Sequence, residues 1–247
     1  MTFSTTICKV LNISRKINSP IRPFVLDGNP LEVVTDTMDL GILVTNNLSW
    51  SKHIEWMTTK DNRTLGLVRR MCRHNVSIDV KKVLYCTLVR SRLEYACELW
   101  SPYTINEKLQ IENVQRRATR FILDSPEDMD YKQRLIKLSL LPLEYRRQIR
   151  DLIFLFKIRT GLLDIDHSCF LKQTTSSRYN TRNFSYLNNH VRLARQDYFK
   201  YSYFLRVTVL WNDLPQDLEC ITILTTFKRE IINFFKTKLE HYCLPGK

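Results

Sequence analysis

The chain has 247 residues, 44% of them hydrophobic, enough to bury one substantial core or two small ones, which excludes an intrinsically disordered tail. Its 38 basic and 25 acidic side chains leave a net charge of +13, a field expected to draw phosphate-bearing partners, chiefly by counterion release. No run of about 18 apolar residues and no basic-then-apolar N-terminal segment occurs, so a membrane span, a secretory signal and a membrane partner are not expected and the protein reads as intracellular.

The first 48 residues hold the β-type signals. Lys9–Arg15 alternates around Val10, Leu11 and Ile13, and Phe24–Leu26 runs into the turn-forming Asp27-Gly28-Asn29. Leu31–Thr35 follows, then Leu40–Thr45 with Gly41 near its start and Asn46-Asn47 at its close, so a small antiparallel meander is the economical reading.

From Ser49 onward the period turns helical, and glycine is scarce until Gly161. Ser77-Ile78-Asp79 offers an N-cap, after which Val80, Leu84, Thr87, Leu88, Ser91 and Tyr95 fall on one helical face up to Ser101-Pro102. Ile111, Val114, Ala118, Phe121 and Ile122 stripe the next helix, with Glu112 and Arg116 spaced for an i,i+4 pair and Ser125-Pro126 as its stop. Pro142 and Gly161 bracket a third helix over about Leu143–Thr160, in which Ile149, Leu152, Ile153 and Phe156 recur.

Residues 164–190 are polar and aperiodic and read as a loop. Helical character returns over Tyr198–Trp211 and Thr225–Leu239, separated by Asp213-Leu214-Pro215. The expected fold is therefore mainly α, a helical bundle preceded by a small antiparallel β-meander, with divisions at 1–48, 49–165 and 166–247.

A polymerase or nuclease needs carboxylates converging on metal ions about 4 Å apart. The sequence has no adjacent Asp pair, and Asp164-Ile-Asp166 and Glu127-Asp128-Met-Asp130 read better as helix caps or solvated charge. Cys72-Arg-His74 with Cys86 lacks the closely spaced cysteine pairs of structural zinc sites, and no glycine-rich phosphate loop or nucleophile elbow occurs. No metal site, cofactor or catalytic residue is assigned. The seven cysteines are too irregularly spaced for a disulfide framework and read as reduced, mostly buried thiols.

Residues 60–160 hold 21 basic against 12 acidic side chains. Their clusters, Arg69, Arg70 and Arg73, then Lys81 and Lys82, then Arg116, Arg117 and Arg120, then Arg146 and Arg147, recur at the outer faces or ends of successive helices, where they could track a phosphate backbone. Alternatively they are ordinary solvated helix faces, partly neutralised by Glu94, Glu98, Glu112 and Glu144. Trp50, Trp56, Trp100 and Trp211 read as core residues rather than base-stacking platforms.

Several strings, in this order, resemble one known family: Cys8-Lys-Val-Leu11, Asp39-Leu-Gly-Ile-Leu43, Leu48-Ser-Trp-Ser-Lys-His-Ile54, Arg92-Leu-Glu-Tyr-Ala96 and Leu99-Trp-Ser-Pro102. Val114-Gln-Arg-Arg-Ala-Thr-Arg120, Leu143-Glu-Tyr-Arg-Arg147, Asp151-Leu-Ile153 with Phe156-Lys-Ile158, and Trp211-Asn-Asp-Leu-Pro215 continue the series. Together they resemble the region after the palm in reverse transcriptases of jockey-like non-LTR (LINE-type) retrotransposons, over nearly the whole chain.

The resemblance implies that residues 1–48 are the end of the palm with its primer-grip hairpin and that the helices after Ser49 are a thumb and C-terminal extension. It implies RNA, DNA or an RNA–DNA hybrid as partner, gripped by the backbone, and a catalytic reverse-transcriptase half beside it. The family's Asp pair, with the Mg2+ that the intact enzyme uses, is expected upstream of Met1, so this chain alone is expected to be inactive, a truncated or decayed copy. Ile7 stands where the family commonly has Lys, Ser91 where Pro is usual, and Asn183 where Gly follows Arg182. The competing expectation is a folded relic or a protein-interaction scaffold with no nucleic-acid role.

Overall fold

A computed structural model of the chain describes residues 8–13, 23–72, 76–124, 129–166 and 197–240. The chain divides into two compact units between Met57 and Thr58. It is mainly helical, with short strand pairs confined to the first unit.

That unit holds β1 (Lys9–Leu11), β2 (Val25–Leu26), β3 (Asn29–Pro30), β4 (Glu32–Val34), β5 (Asp36–Asp39) and β6 (Ile42–Thr45). Two antiparallel hairpins, β2–β3 and β5–β6, turn at Asp27-Gly28 and Leu40-Gly41. Both central residues of each turn have positive φ (49° and 78°, 45° and 83°), the geometry whose twist matches the flanking strands. The expected stretch Leu40–Thr45 is thus a turn plus a strand, and its partner Asp36–Asp39 lies just upstream.

One pairing departs from a simple meander: β1 runs parallel to β4, with Lys9 opposite Glu32. A parallel pair needs a connection of a dozen or more residues, and the segment between these strands supplies it with the β2–β3 hairpin inside.

His53 fastens the β5–β6 hairpin. Its Nδ1 accepts the Leu43 amide at 3.2 Å, and its ring stacks on Trp56 at 6.1 Å and meets Trp50 edge-on at 6.4 Å. Burial holds the imidazole pKa down to about 4, so the fold contains the neutral form.

The second unit is built from helices. The first, α1 (Ser51–Met71), spans the division and turns Leu65, Val68 and Cys72 inward. Ser77 caps α2 (Ile78–Tyr85) as expected, its hydroxyl accepting the Val80 amide at 3.4 Å.

Along α2 and the helical turns that follow it, the face read from the sequence is turned outward. Val80, Leu88 and Tyr95 are about half exposed, whereas Lys81, Tyr85, Val89, Leu93 and Cys97 are buried at steps of four. In a regular α-helix such steps drift about 40° each. Here a π-helical turn, Cys86–Arg90, absorbs an extra residue and keeps the row facing inward. Thr87 Oγ1 donates to the Val83 carbonyl at 2.9 Å and Ser91 Oγ to that of Thr87 at 2.5 Å, contacts that favour such a distortion. The helix then ends early, at α3 (Ser91–Leu93), and turns lead to Trp100.

In α4 (Ile105–Leu123) Ile111, Val114, Ala118 and Ile122 are buried as the stripe predicts. Glu112 does not pair with Arg116. It is buried and accepts the Leu143 amide at 3.0 Å, the Tyr131 hydroxyl and the Gln115 side-chain amide at 3.3 Å. Gln115 in turn donates to the Leu141 carbonyl and accepts from Tyr85.

Next come α5 (Tyr131–Lys137) and α6 (Leu143–Arg159), the latter stopped by Thr160 and by Gly161 at φ 71°. The loop expected at 164–190 falls almost wholly outside the described residues. The expected helix at Tyr198–Trp211 is two, α7 (Asp197–Lys200) and α8 (Tyr203–Asn212), with α9 (Gln216–Glu219) after Pro215. Along α6 lies α10 (Leu224–Glu240), burying Phe227, Ile231, Phe235 and Leu239. Phe227 stacks between Phe156 and Trp211 at 4.4 and 5.7 Å.

Trp100 and Trp211 are core residues; Trp50 and Trp56 are partly exposed. Cys72 and Cys97 are buried and Cys220 is exposed, all as free thiols, and burial pushes Cys97 up to about 12. No described helix is long and apolar enough to cross a membrane.

Two measurements check this packing. Glu112→Ala strands buried donors and is expected to cost about 3–5 kcal/mol in urea unfolding followed by circular dichroism. For His53, the folded imidazole binds fewer protons than the unfolded one between pH 4 and 6.5, so its stabilisation is complete above that window and lost as pH falls through it. A pH series of unfolding midpoints should show this fall, and His53→Gln should flatten it.

Candidate nucleic-acid interface

The predicted basic clusters divide into two groups once folded. On α1 the inward row through Leu65, Val68 and Cys72 leaves Arg69 and Arg70 exposed in the last turn. On α4 the row through Ile111, Val114, Ala118 and Ile122 leaves Arg117 and Arg120 exposed. The two helices are tied side by side by Arg117 Nη1, which donates to Asn62 Oδ1 at 3.1 Å, and by Gln110 Nε2, which donates to Thr58 Oγ1 at 3.0 Å.

Arg69, Arg117 and Arg120 therefore converge on one cleft of about 380 Å3, completed by Phe121 and Asp124. Asp124 is the carboxylate of this lining, and it is already engaged: Lys81 Nζ, buried beneath, lies 2.5 Å from its Oδ2 and 5.4 Å from the Phe121 ring centre. Asp124 reaches Lys81 because it ends α4 in the left-handed conformation (φ 44°), its amide bonded back to the Arg120 and Phe121 carbonyls. Among the described residues no carboxylate pairs with Arg69, Arg70 or Arg120.

The charge balance favours an anion. Four cations face a single carboxylate, while the C-terminal ends of α1 and α4 contribute a partial negative charge of roughly 0.5 each. A surplus of roughly two positive charges remains. Its density is felt nearby: Arg134, buried beside Tyr131, has its pKa lowered first by burial and then by the Arg120 charge, with Arg116 adding to it. Exposed guanidiniums in this arrangement can meet phosphate oxygens in pairs.

The other predicted residues do not join the cleft. Arg116 is half-buried and lies over the Tyr131 ring at 5.2 Å. Lys82 is half-buried on α2, and Arg73 lies outside the described residues, as does His74 of the cysteine–histidine string. On α6 the arginines turn inward. Arg146 grips Glu94 with Nε and with Nη2 at 2.9 Å, and Arg150 meets Glu98 at 3.0 Å. Arg206 of α8 binds Asp151 with two bonds of 2.9 and 3.0 Å, and Arg147 is 3% exposed.

Sequence reasoning did not single out Asn62, nor Lys81 as the neutraliser of Asp124. Nothing local marks either residue, since both partners lie more than 40 positions away. Asp61, on the inner side of α1, is ion-paired to Arg92; burial raises its carboxyl to about 6 against the pull of that arginine. Among the described residues no three His, Cys, Asp or Glu side chains come together as a metal site.

Comparisons with protein-family models, curated proteins and solved structures gave no match to this chain.

Surface and structural arginines should separate in stability measurements. Among the described residues, Arg146→Leu leaves the buried Glu94 with only Arg90, at 3.6 Å, and is expected to cost about 3 kcal/mol in urea unfolding. Arg120→Leu is expected to change stability by less than about 0.5 kcal/mol.

Proposed function

We propose that this chain is the post-palm region of a jockey-like non-LTR retrotransposon reverse transcriptase, and that the cleft between α1 and α4 holds the phosphate backbone of a primer–template duplex. The observation that carries the binding role is the convergence of Arg69, Arg117 and Arg120 on a cleft whose carboxylate is already neutralised by Lys81. The family reading rests on the ordered strings of the sequence, and the mainly helical fold after a small β unit agrees with a thumb.

Binding of this kind is indifferent to base sequence, because guanidiniums that meet phosphates read no base edges. RNA, DNA and RNA–DNA hybrids all present the required backbone, and a catalytic half carrying the Asp pair and Mg2+ is the natural partner. Phosphoryl transfer is not assigned to this chain.

A protein-contact role has its own observation in favour. Ile78, Val80, Val83 and Leu88 leave an apolar outer face on α2 and the turn after it, each 44–58% exposed.

The test is an RNA–DNA hybrid titrated across a salt series. The wild-type chain is expected to bind with a steep loss of affinity as salt rises. Replacing Arg69, Arg117 and Arg120 by Gln should reduce the slope of log affinity against log salt by about 2–3, at roughly 0.9 per phosphate contact, equally for unrelated sequences. Lys228→Gln with Arg229→Gln, at exposed positions of α10, should leave the slope nearly unchanged. Salt-insensitive binding, or a triple variant that binds like wild type, would sink the proposal.

A further inference from the structure

A second cavity, independent of the arginine cleft, lies within the larger unit between the segment 101–103, α6 and α8. Its volume is about 260 Å3, its lining is mostly apolar, and it is open to solvent on one side. Leu205, Val209 and Leu210 form one wall. Tyr103 and Tyr201 stand at its edge with their rings parallel to within 6° and 4.5 Å apart, already stacked on each other. The pair thus offers a flat outer face rather than a slot.

Six charged residues line this space, and four cancel. Lys108 is paired with Glu144 at 2.8 Å, and Arg206 is held by Asp151. That leaves Lys200, whose Nζ lies 5.3 Å over the Tyr201 ring, and Arg147. Arg147 is 97% removed from solvent, yet its Nη1 has no hydrogen-bond partner among the described residues. Glu112 and Asp151 feel its charge, but neither supplies that bond.

A buried cationic N–H without an acceptor costs about 1–3 kcal/mol or more, and because Nη1 is itself sealed from solvent, the guanidinium lining this cavity would gain by turning it toward an acceptor that enters. The size narrows the choice. Small-molecule sites usually occupy about 300–1,000 Å3, and this one lies just below that range, too small for a dinucleotide and sufficient for one ring with an acid group.

We propose that this cavity binds a small monocyclic aromatic anion, a carboxylate or phosphate monoester, with its acid group on Arg147 and Lys200 and its ring against Leu205, Val209 and the tyrosine pair. With a turn of the guanidinium, the acid group would supply the acceptor that Arg147 Nη1 lacks, and the ring would cover the apolar wall.

Phenyl phosphate and benzoate are the probes, with inorganic phosphate and phenol as the halves lacking ring or charge. Titrations of the full chain would be followed by amide resonances and by intrinsic fluorescence. The expected result is saturable binding of at least one probe, with shifts confined to residues 101–103, 200–201, α6 and α8. Each half-molecule should bind about tenfold more weakly or worse. Arg147→Met should abolish binding; Val209→Trp, at a position 46% exposed, should fill the cavity and abolish binding while the chain stays folded. Failure of both probes to saturate, equal binding of inorganic phosphate, or binding that survives Val209→Trp would each overturn the assignment. The ligand comparison on the wild-type chain decides even where Arg147→Met fails to fold.

Discussion

The buried carboxylate of Glu112 holds four helices of the larger unit in register. It comes from α4, accepts the hydroxyl of Tyr131 from α5, and receives the amide of Leu143 at the first turn of α6. That amide is one of the donors a helix N-terminus leaves unsatisfied, and Pro142 before it has no side-chain acceptor, so a residue 31 positions away caps the helix. Gln115, one turn along α4, extends the network to Tyr85 of α2. Burial raises the carboxyl of Glu112 and both phenols, and in such surroundings each missing partner is expensive. The side of α4 that carries Arg117 and Arg120 is oriented by this network on its other side.

Charge in this protein is divided by depth. The arginines of α6 meet glutamates in a matched pair, Arg146 with Glu94 and Arg150 with Glu98, each partner four residues on, one helical turn along α6 and a run of turns on the other side. Several strings that carry the family resemblance, around Arg92, Glu94, Arg147, Asp151 and Trp211, occupy the interior or its ion pairs. Those residues account for the fold. The outward-facing arginines account for the proposed binding.

What could be read from the sequence follows the range of the interactions involved. The stripe of α4, the cap at Ser77 and the stop at Gly161 are local, fixed by spacing or by a backbone preference, and they fold as read. The outer arginines of α1 and α4 were legible in the same way, as the polar side of an amphipathic period. Their convergence was not, because it depends on how two helices some 50 positions apart lie together. Arg146 and Arg147 looked like another surface cluster because their surroundings are set by Glu94 and by α8, neither visible from local spacing. Of the glutamates expected to neutralise these clusters, Glu94 does so by pairing with Arg146, Glu98 and Glu144 pair instead with Arg150 and Lys108 outside them, and Glu112 serves amide and hydroxyl donors.

The π-helical turn at Cys86–Arg90 bears on how this chain is matched to others. A related chain with a regular helix there would be shorter by one residue. An ungapped alignment across the turn would then set its buried positions against the exposed ones here and make conserved core residues look variable. A single gap placed within the turn would restore the correspondence from Lys81 through Leu93 and reveal one continuous inner row.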